Sequence, residues 1–214
     1  MPSLDAIVAV ALAGLALSVT PGPSMLYVLS RTVGQSRAAG LASALGLCLG
    51  GIILAVATAL GLATVFEKTD WLVVALRYTG SAYLAWLGID MILKARSEAQ
   101  RVLNVEKVRQ KPLFSIIWQG VLVEVLNPKT VLFFALFLPP FIGAGDVQTT
   151  GANVTKQLLV LGVLVPLTAI PSDLVVAYMG GSMTKLINRE HAMRERMSWV
   201  GGLILIAIAL NLHL

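Results

Sequence analysis

Apolar residues run almost without interruption through six stretches of the chain, near 5–28, 39–65, 71–94, 113–142, 157–180 and 197–213, and polar residues collect between them. The hydrocarbon layer of a bilayer, about 30 Å thick, is crossed by about 20 helical residues at 1.5 Å each. Five stretches therefore predict full membrane-spanning helices, and the sixth, at about 17 residues, a short one. The stretches fill well over half of the chain, and the connectors are too short to hold a separate domain. The expectation is an all-α polytopic membrane protein, one membrane domain over 1–214 with about six helices. The first stretch reads as a retained span and not a signal peptide, because Asp5 is the only charge before Arg31 and no basic leader precedes the apolar run.

Composition agrees with the pattern. Hydrophobic residues make up 57% of the chain and charged residues 13%, against about 45–50% and about 25% in soluble domains. The net charge of +5 raises the question of nucleic acid, but the basic residues flank spans and form no patch interleaved with aromatics, so no nucleic-acid partner is expected. Twelve of the sixteen Lys and Arg lie in odd-numbered connectors: Arg31 and Arg37 in the first, six between Lys94 and Lys111 in the third, and Lys185, Arg189, Arg194 and Arg196 in the fifth. The positive-inside rule then places the odd connectors in the cytoplasm and both termini outside an inner membrane. The single cysteine, Cys48, excludes an internal disulfide or a Cys-rich metal site and reads as a packing residue in the second span.

The basic connector 96–111 divides the chain into halves of three helices, approximately 1–95 and 112–214, and an odd number per half would give them opposite orientations. Thr20-Pro21-Gly22-Pro23 falls about sixteen residues into the first helix, and Asn127-Pro128-Lys129 about fifteen into the fourth. Thr20 then aligns with Asn127 and Pro21 with Pro128, while 78–81 matches 199–202 more faintly. Two inverted three-helix repeats with broken helices 1 and 4 are expected. Proline removes a backbone donor and blocks the carbonyl four residues back, and glycine permits other dihedrals, so such a helix opens. Freed polar groups in hydrocarbon need protein, water or a ligand, and paired breaks in inverted halves point to a transporter's binding site. The alternative is a simple kink, which membrane helices tolerate. Gly46 and Gly50, with Gly51 and Ala42 nearby, form a small-residue face for close helix packing, and Gly61, Gly80 and Gly88 read likewise.

Charges inside the spans need a partner, a wet cavity or an interface. Arg77 can snorkel outward, and Asp90 stands four residues before Lys94. Lys129 is too deep to snorkel. Glu124 and Asp173 are its available counter-charges, and a buried Lys–carboxylate pair is either a static tie between helices or a coupling device that a proton or substrate can open.

These residues resemble the LysE/RhtB family of bacterial amino-acid exporters, which includes lysine, homoserine, threonine and leucine efflux proteins. The resemblance rests on TPGPSMLYVLSR at 20–31, GLASALGLCLGGIILAVATALG at 40–61, RYTGSAYLAWLGIDMI at 77–92, LNPKTVLFFALFLPPFI at 126–142, and Asp173. It implies six helices in inverted triplets, export from the cytoplasm, coupling to the proton gradient, and homodimers. Carried onto these positions, Pro21, Gly22 and Pro23 form one broken element and Asn127, Pro128 and Lys129 the other, with Asp173 as an intramembrane acid. Where some relatives carry a polar or acidic residue after the second-helix glycine, this chain has Gly51 or Ile52.

Both lines converge on alternating access. The segments 20–23 and 126–128 with Lys129 are expected to bind the substrate, and Asp173, backed by Glu124, to carry the proton. No cofactor is expected. A metal-ion transporter would want clustered His, Cys or carboxylates in the spans, whereas the two histidines are His191 in a connector and His213 at the end. An intramembrane protease would want a base near Ser24, and no histidine lies in a span interior. A structural subunit would need neither matched breaks nor a buried lysine.

Overall fold

A computed structural model of the protein describes residues 1–20, 22–66, 70–100, 108–142, 151–189 and 191–211. Among these residues there are helices and no strands: α1 Leu4–Val19, α2 Pro23–Gly34, α3 Arg37–Phe66, α4 Asp70–Gln100, α5 Leu113–Val125, α6 Pro128–Leu132, α7 Gly151–Arg189 and α8 His191–Asn211. A π turn at Phe133–Phe137 and a 3-10 turn at Pro139–Phe141 follow α6. Pro21, His213 and residues 101–107 lie outside the described residues, as do the side chains of Arg77 and His191.

The first and fourth expected helices are both broken. α1 begins on Ser3, whose hydroxyl accepts from the Ala6 N–H at 3.2 Å, and stops where Thr20 turns extended at φ −76°, ψ 122°. The chain resumes through Gly22, also extended, and Pro23 opens α2 at a position where its missing N–H is no loss and its fixed φ is already helical. The second break has the same construction. Asn127, extended at φ −73°, ψ 110°, accepts from the Lys129 N–H at 3.1 Å through its side chain, and Pro128 takes the first position of α6. Each break bends its pair of helices by 51°.

Arg37–Gly61 of α3 and Asn153–Gly180 of α7 are each long and apolar enough to cross a membrane, and the two bent pairs make four spans if each pair counts as one. α4 and α8, with 31 and 21 residues, have sufficient length. Charges such as Asp90 and Lys94 in α4, and Arg194, Glu195 and Arg196 in α8, dilute their apolar character. The Asp90–Lys94 pair anticipated from its spacing is formed, at 2.6 Å. Phe114, Trp118, Leu122 and Leu126 stand exposed at four-residue spacing along α5, as do Leu45, Leu49 and Ile53 along α3. Stripes of that kind are tolerable against lipid and costly against water.

Two expectations about connectors change. The fifth basic group does not occupy a loop, because α7 runs to Arg189 and α8 starts at His191. Arg31 is not a loop residue either: it lies in α2 and is only 5% exposed.

Backbones approach closely where glycines face each other, as membrane packing requires when lipid supplies no hydrophobic drive between helices. A Cβ on Gly120 would stand 2.9 Å from the Ser43 carbonyl oxygen and 3.0 Å from the Gly46 Cα, so α5 lies directly on α3. Gly88 and Gly202 join α4 to α8 in the same way, and Gly80 seats Pro140. Gly51 faces Pro166 of α7 and so belongs to a different face from Gly46 and Gly50. At Gly61 a Cβ would meet nothing within 4 Å among the described residues.

Candidate functional site

The two breaks, α3 and α7 enclose a cavity whose wall includes Thr20, Gly22, Pro23, Glu124, Asn127, Lys129 and Asp173. Room for water centres inside it totals about 70 Å³. That accommodates about five waters, or roughly 150 Å³ of liquid, the scale of one amino acid. Seven of the nine residues singled out from the sequence thus meet at one place. Pro128 is exposed and acts only by shaping the start of α6, and Pro21 lies outside the described residues.

Polar groups at one end of the cavity are tied together by side chains from both breaks. The Ser24 hydroxyl donates to Glu124 Oε2 at 2.5 Å, Thr130 Oγ1 donates to Glu124 Oε1 at 3.0 Å, and Asn127 Nδ2 donates to Ser24 Oγ at 3.0 Å. Both oxygens of Glu124 are therefore occupied by neutral donors. Gly50 makes room for this carboxylate, since a Cβ there would come within 2.8 Å of the Glu124 Cβ.

Lys129 is held differently from the pairing anticipated in the sequence. Its ammonium donates to the Leu17 carbonyl at 3.3 Å, near the end of α1, and neither Glu124 nor Asp173 comes within ion-pair distance. The reason is local: α1 stops before it can use its last carbonyls, which leaves the Leu17 oxygen available, while Ser24 and Thr130 already fill Glu124. On its other side the backbone carbonyl of Lys129 accepts from the Tyr83 hydroxyl at 3.3 Å. Asp173 lines the cavity without a hydrogen-bond partner among the described residues. The cavity thus presents one cation on a neutral acceptor, one carboxylate fully engaged and one carboxylate open to a ligand.

Leu47, Phe134, Val165 and Pro166 close the other side, with the Cys48 thiol among them. Sequence reasoning did not assign Thr130 or Pro166 and considered Ser24 only as a nucleophile. Pro166, inside the apolar run of α7, was the available signal for a second proline-shaped wall. Among the described residues no three His, Cys, Asp or Glu converge as a metal site requires.

Broken apolar helices around a charged cavity, with apolar stripes turned outward, define a polytopic helical membrane protein. The chain belongs to the LysE type translocator family, whose pattern it matches over residues 15–214. It is 26% identical to a leucine efflux protein of Enterobacter sp. over 194 residues, 91% of this chain and 88% of the relative. It is 27% identical to the uncharacterized membrane protein YrhP of Bacillus subtilis over 201 residues, 90% of this chain and 91% of the relative. With an uncharacterized membrane protein of Pseudomonas aeruginosa it shares 33% identity over 129 residues, 58% of either chain. No solved structure matches the chain significantly.

Proposed function

We propose that the protein is a secondary transporter that exports an amino acid or a closely related small metabolite from the cytoplasm, by alternating access around this cavity and in exchange for protons. The observation that carries the reading is the Lys129 ammonium, deep in the molecule at the junction of two helix breaks and, among the described residues, bonded only to a backbone carbonyl. A substrate carboxylate makes a charge-assisted bond there and displaces a neutral acceptor, so binding is favoured without breaking an ion pair. Asp173, open to the cavity, takes the substrate's ammonium or a proton, and competition between the two couples export to the gradient. The name of the efflux relatives supports an amino-acid substrate.

The reading includes two inverted halves, 1–95 and 112–214, in an inner membrane with the odd connectors cytoplasmic. Equal bends at the breaks support it. So does part of the contact pattern: α1 lies on α7 as α5 lies on α3.

Cells unable to degrade the constituent amino acids, fed dipeptides, provide the test. Wild type should release one fed residue faster than empty cells, and Lys129→Ala should lose about ten- to a hundred-fold of that rate while remaining in the membrane, as expected for removing a charged hydrogen bond. Equal release by variant and wild type overturns the proposal.

A further inference from the structure

Arg31 has the most unusual surroundings of any charge among the described residues. It lies two turns along α2 from Ser24, is 5% exposed, and among the described residues has no carboxylate within ion-pair distance. Its Nη2 donates to Gln119 Oε1 at 2.8 Å and its Nη1 to the Arg109 carbonyl at 3.0 Å, while its guanidinium sits 5.8 Å from the centre of the Tyr27 ring. Its Nε is buried with no hydrogen-bond partner.

The neighbouring bonds all cross the same seam. The Tyr27 hydroxyl donates to the Ile116 carbonyl at 2.7 Å. Gln35 donates to the Lys111 carbonyl at 2.7 Å and accepts from the Lys111 N–H at 3.1 Å. With Ser24 on Glu124, α2 is stitched to α5 and the segment before it at every turn between the cavity and the 108–112 connector. The opposite face of α2 makes no bond of that kind to α3 or α7 among the described residues: Val28 and Leu29 lie in an apolar cluster with Leu47, Val176 and Ala177, and Thr32 seats against Gly40 and Gly180. Apolar contacts permit sliding, and directional bonds do not. α5 is fixed on α3 by Gly46 and Gly120, whereas α2 joins α1 through an extended Gly22. The geometry points to α2 as the part that swings and to its contact with α5 as the seam that parts.

We propose that this seam is the gate that closes the cavity on the side of the 108–112 connector, with Arg31 as its latch. The proposal rests on the cavity being a transport site. A buried guanidinium on neutral acceptors, with no carboxylate partner among the described residues, holds the seam by several bonds without an ion pair, so the closed state is firm but not locked. A carboxylate at the Gln119 position would lock it.

Cys48 is the chain's only cysteine and lines the cavity, so its modification rate by a membrane-impermeant methanethiosulfonate reports whether the gate is open. The measurement compares inverted and right-side-out vesicles. A Gln110→Cys reporter on a Cys48→Ala background identifies the orientation that presents the connector. From that side Arg31→Gln should label about ten-fold faster than wild type, with no change from the other side, and Gln119→Glu should label about ten-fold slower. Monodisperse elution in detergent certifies folding. A folded Arg31→Gln with wild-type labelling overturns the gate, as does Gln119→Glu labelling as fast as wild type or faster. If Arg31→Gln does not fold, Gln119→Glu decides alone. No substrate enters the assay, so a failed gate and a failed export reading give separate results.

Discussion

A carboxylate inside an apolar layer is tolerable when its oxygens are occupied, and Glu124 meets that condition through two hydroxyls borrowed from different breaks. Ser24 is the more consequential of the two, because it also accepts from Asn127. Ser24→Ala leaves an oxygen and an amide each short of a partner, and should lower stability by about 1–3 kcal/mol, read as a reduced thermal midpoint in detergent; an unchanged midpoint would show that the hydroxyl bridges nothing of weight. Lys129, Asp173 and Asn127 were legible from the sequence because a charge or a proline deep in an apolar run has few bland explanations. Ser24 and Thr130 were not. Hydroxyls in such helices usually return to their own backbone, as Thr32 does to Val28 and Ser43 to Ala39, so a seryl or threonyl reaching across the fold looks no different in one dimension. Arg31 was hidden for a related reason: an arginine near the end of an apolar stretch has the same appearance whether it faces headgroups or the interior.

At the scale of elements, α3 and α5 meet through glycines whose added Cβ atoms would strike backbone, and backbone cannot rotate aside. Gly120→Val should therefore separate the two helices, displace Glu124 and sharply reduce the monodisperse fraction in detergent. Gly61→Ala, where the methyl meets nothing within 4 Å among the described residues, should be neutral or slightly stabilising, since alanine favours a helix by about 1 kcal/mol over glycine. Similar losses in both variants would overturn this account of the seam. The spacing of Gly46 and Gly50 announced a packing face, but it could not name α5 as the partner, because partner choice depends on how all the helices are arranged and not on either helix. The breaks were more legible, since Pro at the first helical position and an Asn cap are local chemistry. The lengths of α4, α7 and α8 were less so, as helical hydrogen bonding continues past the hydrocarbon edge into polar sequence that hydropathy reads as connector.

For the whole molecule, the division of labour between two acids makes a distinct prediction. Asp173→Asn removes a group with no hydrogen-bond partner among the described residues and should leave folded protein at wild-type levels, while reconstituted vesicles lose the response of efflux to an imposed pH gradient. A static tie between helices would give loss of folded protein instead. The all-α polytopic fold was foreseeable from the apolar runs and the meeting of both breaks at one cavity from their matched depths, whereas the neutral acceptor for Lys129 followed only from where α1 happens to end. The π turn at Phe133–Phe137 adds one more consequence. Its wide coil carries an extra residue between Lys129 and Pro139, and Phe133, Phe137 and Phe141 stack along it at 4.3 and 4.9 Å between ring centres. One residue amounts to about 100° of helical rotation. That swelling takes up the added residue within one turn. A single-residue deletion inside it would let the coil close to an α-helix with the upstream lysine and the prolines still in register against α4, whereas the same deletion in a continuous helix would rotate one end against the other.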